Sequence, residues 1–403
     1  MNTKGKTLHT WVNPNFLLAI SFSVALVLYS IPFSSLNTNL SLKLKFLLFG
    51  LILINFIMGI SFKKYFRINT FKEMNLNSVF LNLFTVGILL LSICEGIYSK
   101  GFPIFGQVNY KDYGIPSIHV ILVTVDSFYI LVLCDELFNF NKNSKKIFMY
   151  ICLALIPLII SLSRGSIVVL ALSILFDYLF KQEKIKKRHF GRFVVLAMLL
   201  IGSLYIFGIS GNYRMNKNYN YEGGLSNSSL ILSIGKATNE FKNSGIPSPY
   251  FWTYSYATSP IANLNLNVSL NNYSKNKISM NEFIMMNFVP DFIGKRLYPN
   301  DNAIYAIEKV TNEFTVGTVL ATAFLMSNWI GLYLFVVVIS LFPLIYCFLL
   351  KRWATDYIRF GMSVLCTVYI LAVFSNFFVF TGLSLQLWFP FIVQFFKKIK
   401  FTN

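Results

Sequence analysis

The stretch WIGLYLFVVVISLFPLIYCFLL, residues 329–350, contains no charged side chain. An α-helix needs about 20 apolar residues to cross the hydrocarbon of a bilayer, where lipid cannot hydrogen-bond the backbone. The stretch therefore predicts a membrane-spanning helix. Nine further apolar segments lie at 15–33, 44–62, 76–97, 115–138, 147–163, 166–180, 193–210, 357–379 and 383–396. Together they predict an all-α, polytopic integral membrane protein of about ten transmembrane helices.

The composition of the whole chain agrees with this class. Of its 403 residues, 55% are hydrophobic and 13% are charged, whereas a soluble domain carries about 25% charged residues. An ordinary soluble enzyme is therefore excluded. The 35 Lys+Arg exceed the 16 Asp+Glu, but the basic clusters alternate with apolar segments, which is typical of membrane topology. We expect no nucleic-acid partner and, because all five cysteines lie in apolar segments, no disulfide framework.

The basic residues also predict the orientation, because short cytoplasmic loops are enriched in Lys and Arg. With both termini in the cytoplasm, 21 of the 35 basic residues lie on the cytoplasmic side, six of them in the cluster at 181–192. We expect an N-terminal bundle of about seven helices at 1–210, a large outer loop at 211–314, and about three C-terminal helices at 315–403.

The predicted outer loop has a distinctive composition. Its 104 residues include 18 Asn and 16 aromatic residues. Asn amides can donate to and accept from hydroxyl groups, and aromatic rings offer apolar faces to sugar C–H groups, so the loop suits carbohydrate. An AT-rich genome would also raise the Asn count. A loop of this length is usually functional.

Ionisable groups at membrane depth are costly and mark functional sites by default. Arg164 lies in the stretch SRGS at 163–166, where Gly165 permits a turn between two apolar segments at the outer leaflet. A guanidinium there could bind a diphosphate beside the N–H groups of the next helix. It could instead anchor the helix end at the lipid headgroups.

Three more ionisable residues lie in or near the apolar segments. His119 and Asp126 are seven residues apart, so they share one face of a helix about 10 Å apart along its axis. His119 could bind a phosphate or hydroxyl, or be a satisfied bundle histidine. Asp126, near mid-bilayer, could bond a neighbouring helix, act on substrate or relay protons. Glu95, at the outer surface, is a candidate general base or hydroxyl-orienting group, or a solvated interfacial residue.

Three stretches resemble one known family, in the same order along the chain. EGIYSKGFPIFG at 95–106, continued by Tyr110, YGIP at 113–116 and His119, is similar to the first outer loop of bacterial O-antigen and capsule repeat-unit (Wzy-type) polymerases. SRG at 163–165 resembles their turn between the fifth and sixth spans, and YATSPIAN at 256–263 resembles their long-loop signature. TNEFT at 311–315 with WIG at 329–331 resembles the return to the membrane, but lacks the acidic residue that often precedes the glycine.

The resemblance implies a lipid-dependent, membrane-embedded glycosyltransferase of the bacterial inner (cytoplasmic) membrane, with a GT-C-like architecture and its active site on the periplasmic face. The implied reaction transfers the growing glycan from undecaprenyl diphosphate to the non-reducing-end hydroxyl of a new lipid-linked repeat unit. The implied partners are undecaprenyl-diphosphate-linked oligosaccharides, membrane lipids and a chain-length regulator protein. The resemblance also implies no cofactor, no nucleotide sugar and no metal, and the sequence has no HExxH, Cys/His cluster or nucleotide-binding loop that would argue against this.

The resemblance also implies roles for particular residues. Charge builds on the departing diphosphate, so fixed cations would stabilise the transition state. Arg164 is the leading candidate, and Arg214 and Arg296 could complete a cationic clamp or be ordinary solvated loop residues. His119 would hydrogen-bond a phosphate or the acceptor hydroxyl, and Glu95 could take the acceptor proton.

The remaining candidates are expected to bind the glycan. Tyr110, Tyr256 and Asn263 would line the sugar path, although buried tyrosines more often serve packing, and Asp126 is counted with the substrate-binding group. The alternative functions are an O-antigen ligase that delivers the glycan to lipid A core, a lipid-linked oligosaccharide flippase, and a non-enzymatic receptor or assembly scaffold.

Overall fold

A computed structural model describes residues 12–68, 78–110, 112–138, 144–181, 190–226, 228–274, 278–298 and 306–402. Of Arg164 and of residues 190–197, 199–200 and 398–402 it describes the backbone alone. Within these ranges the chain is helical and forms no β-sheet. The helices are α1 (Pro14–Ser30), α2 (Leu42–Ser61), α3 (Ser78–Tyr98), α4 (Ile118–Phe138), α5 (Ser144–Ile160), α6 (Arg164–Lys181), α7 (Phe190–Asn218), α8 (Ser229–Ile234), α9 (Asn239–Lys242), α10 (Pro249–Ser269), α11 (Met280–Phe288), α12 (Asp291–Leu297), α13 (Ala321–Trp353), α14 (Ile358–Leu371), α15 (Thr381–Ser384) and α16 (Phe389–Thr402).

The apolar segments of the sequence coincide with α1 to α7, α13, α14 and α16. Among the described residues, α2, α3, α4 and α13 are long and apolar enough to cross a membrane, and α1 is an apolar helix of 17 residues. Their outward faces carry large apolar side chains, which is the arrangement that lipid requires. The prediction of an all-α protein with membrane-spanning helices is confirmed at this level.

Two of the predicted boundaries are wrong, both near the C-terminus. The segment 357–379 was expected to be one helix, but α14 ends at Leu371; the segment 383–396 was expected to follow as another, but the long helix α16 begins only at Phe389. Most of the intervening residues are buried or half-buried, and Val319 N–H donates to the Ala372 carbonyl at 2.9 Å. Apolar composition cannot distinguish a helix from a buried turn that is hydrogen-bonded to another segment.

Helix α13 is broken near its beginning. Ser327 and Asn328 have non-helical backbone angles, with φ 52° and ψ −145° at Asn328. The two parts pack so closely that a Cβ at Gly331 would lie 2.3 Å from the Ala323 carbonyl oxygen. Glycine is therefore required at this position, and the short buried helix before the break belongs to the protein interior.

Buried amides join three of the apolar helices. Asn15 Nδ2 on α1 donates to Asn55 Oδ1 on α2 at 2.8 Å, and Asn55 Nδ2 donates to Ser340 Oγ on α13 at 2.9 Å. All three side chains are buried. Lipid is as apolar as leucine, so helices in a membrane associate through close packing and through polar contacts of this kind.

The described parts of the segment 211–314 are helical and packed rather than an open loop. Helix α7 continues to Asn218, so Arg214 lies on a helix, and α8 to α12 follow. A second hydrophobic core, separate from the large core of the bundle, contains Met215, Ile231, Ala237, Phe241, Phe251, Trp252, Tyr254 and Phe314. Ile261, Leu264 and Val268 of α10 belong to the large core instead. Helix α10 therefore fixes this segment to the bundle.

Three buried charged residues and the partly buried Lys181 connect α4, α6 and α14. Arg359 on α14 forms ion pairs with Asp135 on α4 and with Asp177 on α6, the latter at 2.7 Å between Nε and Oδ1. Lys181 on α6 also pairs with Asp135. The sequence analysis counted Arg359 and Lys181 only as cytoplasmic charges. The structure shows that they neutralise two carboxylates inside the bundle.

We predict that Arg359→Ala lowers the stability of the protein strongly. Removal of one partner leaves Asp135 and Asp177 buried with less compensating charge, which costs about 3–5 kcal/mol in comparable networks. Thermal unfolding of the purified protein in detergent micelles measures the effect. Arg352→Ala, at the exposed end of α13, is the matched control and should leave the melting temperature unchanged. Equal melting temperatures for the two variants would contradict a stabilising role of the network.

Candidate functional site

The end of α3 and the beginning of α4 bring Glu95 and His119 together. His119 Nδ1 and Glu95 Oε2 are 2.9 Å apart, at hydrogen-bonding distance. The Glu95 side chain is only 2% exposed, whereas that of His119 is 24% exposed. The carboxylate is therefore positioned to orient the imidazole, and the imidazole is the group that solvent or a substrate can reach.

The connection between the two helices is shaped around this pair. Gly114 has φ +95°, and a Cβ there would lie 2.5 Å from the His119 ring. Its N–H donates to Ser99 Oγ at 2.8 Å. The ring of Tyr113 packs edge-on against the His119 ring, with centroids 5.5 Å apart. The stretch singled out for its family resemblance therefore packs directly against His119.

A cation from the segment 211–314 lies near the pair of Glu95 and His119. Arg296 on α12 donates a hydrogen bond from its guanidinium to Ser117 Oγ, two residues before His119. Its neighbour Lys295 is paired with Asp291 at 2.7 Å. The structure thus groups Glu95, His119 and Arg296, three of the residues predicted from sequence.

The N-terminus of α12 is itself held in place by polar contacts. Thr381 Oγ1 donates to Asp291 Oδ1, and Asp291 N–H donates to the Val379 carbonyl at 2.7 Å. Burial raises the pKa of Asp291, but the hydrogen bonds from Lys295 and Thr381 act in the opposite direction and leave the pKa below its usual value. The stabilisation from Asp291 is therefore present at neutral pH and is lost as the pH falls through that lowered pKa.

Arg214 and Tyr256 form a second group. Arg214 Nη2 on α7 donates to Tyr256 Oη on α10 at 3.2 Å. The Tyr256 ring contacts the rings of Phe207, Trp252 and Phe314, with centroids 5.3–6.0 Å apart. The result is a cation beside a cluster of aromatic faces. Among the described residues no direct contact links this group to Glu95, His119 and Arg296.

Asn263 has a different surrounding from the one expected for a sugar-binding residue. It is fully buried. Its Nδ2 donates to the carbonyls of Phe314 and Val316 at 2.8 and 2.7 Å, and its Oδ1 accepts from Val310 N–H at 2.8 Å. These bonds use both amide hydrogens, so no donor is left for a glycan. We infer that Asn263 fixes the segment before α13.

The other sequence candidates occupy separate positions. Tyr110 is exposed in the α3–α4 connection, and Asp126 is buried on α4, with no hydrogen-bond partner for either carboxylate oxygen among the described residues. Arg164 begins α6, but its side chain lies outside the described residues, so its predicted orientation is not tested. The turn before it was attributed to Gly165; instead Leu162 has the positive φ, 52°, and Gly165 lies within α6.

Two serines that the sequence analysis did not select complete the group of Glu95, His119 and Arg296. Ser117 holds Arg296, and Ser99 holds Gly114. The sequence could have indicated them only as neighbours of His119 and Gly114, since a lone serine carries no functional signal. Among the described residues no group of three or more His, Cys, Asp and Glu side chains could hold a metal ion.

Comparison of the chain with models of protein families, with curated proteins and with solved structures finds no match.

We predict that Asn263→Ala releases the segment 306–316 from α10. The change removes three buried hydrogen bonds, each contributing about 0.5–1.5 kcal/mol, and leaves their backbone partners unsatisfied. Limited trypsin digestion in detergent should then cleave faster after the exposed Lys309. The control is Asn239→Ala, at the exposed start of α9. Unchanged cleavage in the Asn263 variant would show that these bonds do not hold the segment.

Proposed function

We propose that this protein is a polymerase of bacterial surface polysaccharide with about ten membrane spans and both termini in the cytoplasm. The observation that carries the proposal is the pair of Glu95 and His119 beside Arg296, between two apolar helices and under a folded outer segment. The order of the three family-like stretches and the aromatic and Asn content of residues 211–314 support it. In this topology the pair faces the periplasm.

The proposed reaction joins two lipid-linked glycans. The hydroxyl at the non-reducing end of the new repeat unit loses its proton to His119 Nε2 as its oxygen attacks the anomeric carbon of the growing chain. The bond from that carbon to the diphosphate breaks, and the electron pair leaves with undecaprenyl diphosphate. The activated sugar–diphosphate bond supplies the driving force, so the proposal needs no nucleotide sugar or cofactor.

The geometry favours His119 as the base, whereas the sequence analysis proposed Glu95 for this role. A general base has to reach the proton that it removes, and Glu95 is almost completely buried. The carboxylate holds the imidazole in one orientation and stabilises its protonated form, as the buried acid does in a catalytic triad. Glu95 is therefore the positioning residue of the pair in this proposal.

The leaving diphosphate needs cations. Arg296 supports this role best, because it lies beside Ser117 and hence close to His119. Arg164 stays a proposed second cation at the start of α6. Arg214 and Tyr256, with the aromatic rings around them, are proposed to bind the glycan farther from the reacting atoms, as is the exposed Tyr110. A chain-length regulator is the proposed protein partner.

Deletion of the gene tests the function. We expect surface polysaccharide on a gel to change from a long ladder to lipid A core carrying one repeat unit, and expression of the wild-type gene to restore the ladder. A ligase would leave bare core, and a flippase would leave bare core with lipid-linked repeats trapped inside the cell. Ladders of unchanged length would contradict the proposal.

The paired residues are tested by His119→Ala and Glu95→Gln. We expect His119→Ala to slow polymerisation by about 10²–10⁴-fold, the usual contribution of a general base, and Glu95→Gln to have a smaller effect, since the base is kept but loses its charged partner. The assay follows ladder growth by purified protein on lipid-linked repeat units. Glu222→Gln, an exposed carboxylate in the outer segment, is the control for the charge change. Normal rates for His119→Ala would remove it from the mechanism.

A further inference from the structure

A groove separates the outer halves of α3 and α4. It has a volume of about 310 Å³. Ile88 and Leu122 are buried at its base, and Leu83, Leu91, Ile118 and Ile121 have exposed side chains along its sides. Every residue that lines the groove is aliphatic or aromatic, apart from Gly87.

Two hydrogen bonds join α3 to α4 near the groove without lining it. Thr85 Oγ1 and Tyr129 Oη are 2.8 Å apart, and nearer the α3–α4 connection Glu95 and His119 are joined at 2.9 Å. The residues of α3 that line the groove run from Leu83 to Leu91, or about 12 Å at 1.5 Å per residue. The groove therefore extends over about 12 Å of a hydrocarbon layer that is about 30 Å thick.

The upper end of the groove opens at the proposed reaction site. Leu91 lies one helical turn below Glu95, and Ile118 directly precedes His119. Arg296 is fixed to Ser117, the residue before Ile118. A molecule with an apolar chain in the groove would therefore place its head beside a guanidinium and an imidazole.

Resting on the proposed function, we propose that this groove binds the isoprenoid chain of the lipid-diphosphate substrate. The apolar lining suits a hydrocarbon, and contact with it would replace contact with bulk lipid. The diphosphate head carries more negative charge than the single phosphodiester of a membrane phospholipid, which favours it beside Arg296. The groove then sets the depth of the chain, and hence the position of the reacting sugar–phosphate bond relative to His119.

Gly87 offers a way to fill the groove without disturbing the bundle. A Cβ at Gly87 would meet no other atom within 4 Å, so a side chain can begin there without a clash at its first carbon. Gly50, on α2, also has open space around it and lies on an apolar helix away from the groove. Gly87→Leu and Gly50→Leu are therefore matched substitutions that differ in whether the new side chain enters the groove.

The test is photolabelling of the full-length protein in nanodiscs with a benzophenone-bearing short-chain isoprenyl diphosphate. In wild type we expect the label on peptides of α3 and α4, displaced by unlabelled polyprenyl diphosphate but not by the same concentration of phosphatidylglycerol. Gly87→Leu should reduce this labelling roughly tenfold, which corresponds to the lost burial of about two methylene groups. Gly50→Leu should label as wild type does, and Gly87→Ala should lie between the two.

Three results would overturn the proposal. These are wild-type label mapping away from α3 and α4, equal displacement by phosphatidylglycerol, and equal labelling of the two leucine variants. Wild-type mapping and competition do not depend on how well a variant folds. The outcome is also separable from that of the polymerase proposal. Unchanged ladders after gene deletion reject the polymerase whatever the labelling shows, whereas lost ladders with label elsewhere reject only the groove.

Discussion

The position of α4 depends on the buried charges near its C-terminal end. Asp135 pairs with Arg359 and Lys181, and Arg359 also pairs with Asp177, so ion pairs inside the bundle join α4, α6 and α14. Such a network is costly to form and costlier to leave half satisfied. Because the helix is rigid, an anchor at Asp135 also sets the location of its other end, where His119 lies.

The segment 211–314 depends on the same bundle. Helix α10 has part of its length in the second core and part in the large core, and Asn263 on it holds the segment that returns to α13. The described parts of 211–314 are therefore packed against one another and against the bundle. Arg214, Tyr256 and Arg296 lie on helices with fixed neighbours, which is the condition for cations and aromatic rings to recognise a particular ligand.

The sequence predicted the helical segments well because apolar length is decisive in lipid. The sequence was less informative after Leu371, where buried residues continue without forming a helix. It also did not predict the short helices α8, α9, α11 and α12 in the polar segment 211–314. The sequence indicated Glu95 and His119 as candidates. It could not show which of the two side chains is exposed, because the connection between them contains several residues with positive φ. The sequence suggested that the Asn263 amide binds sugar, but the structure shows that the amide is hydrogen-bonded to the backbone.

Two buried carboxylates, Glu95 on α3 and Asp135 on α4, show how the partner of a carboxylate determines its role. Asp135 has two basic partners, Lys181 and Arg359, and is suited to a structural role. Among the described residues Glu95 has one side-chain partner, the imidazole of His119, which is still reachable from outside. A carboxylate with that partner can influence the chemistry of a bound hydroxyl without touching it. The same bond also joins α3 to α4 at the mouth of the groove, so the position of His119 and the shape of the apolar surface below it are set by one contact.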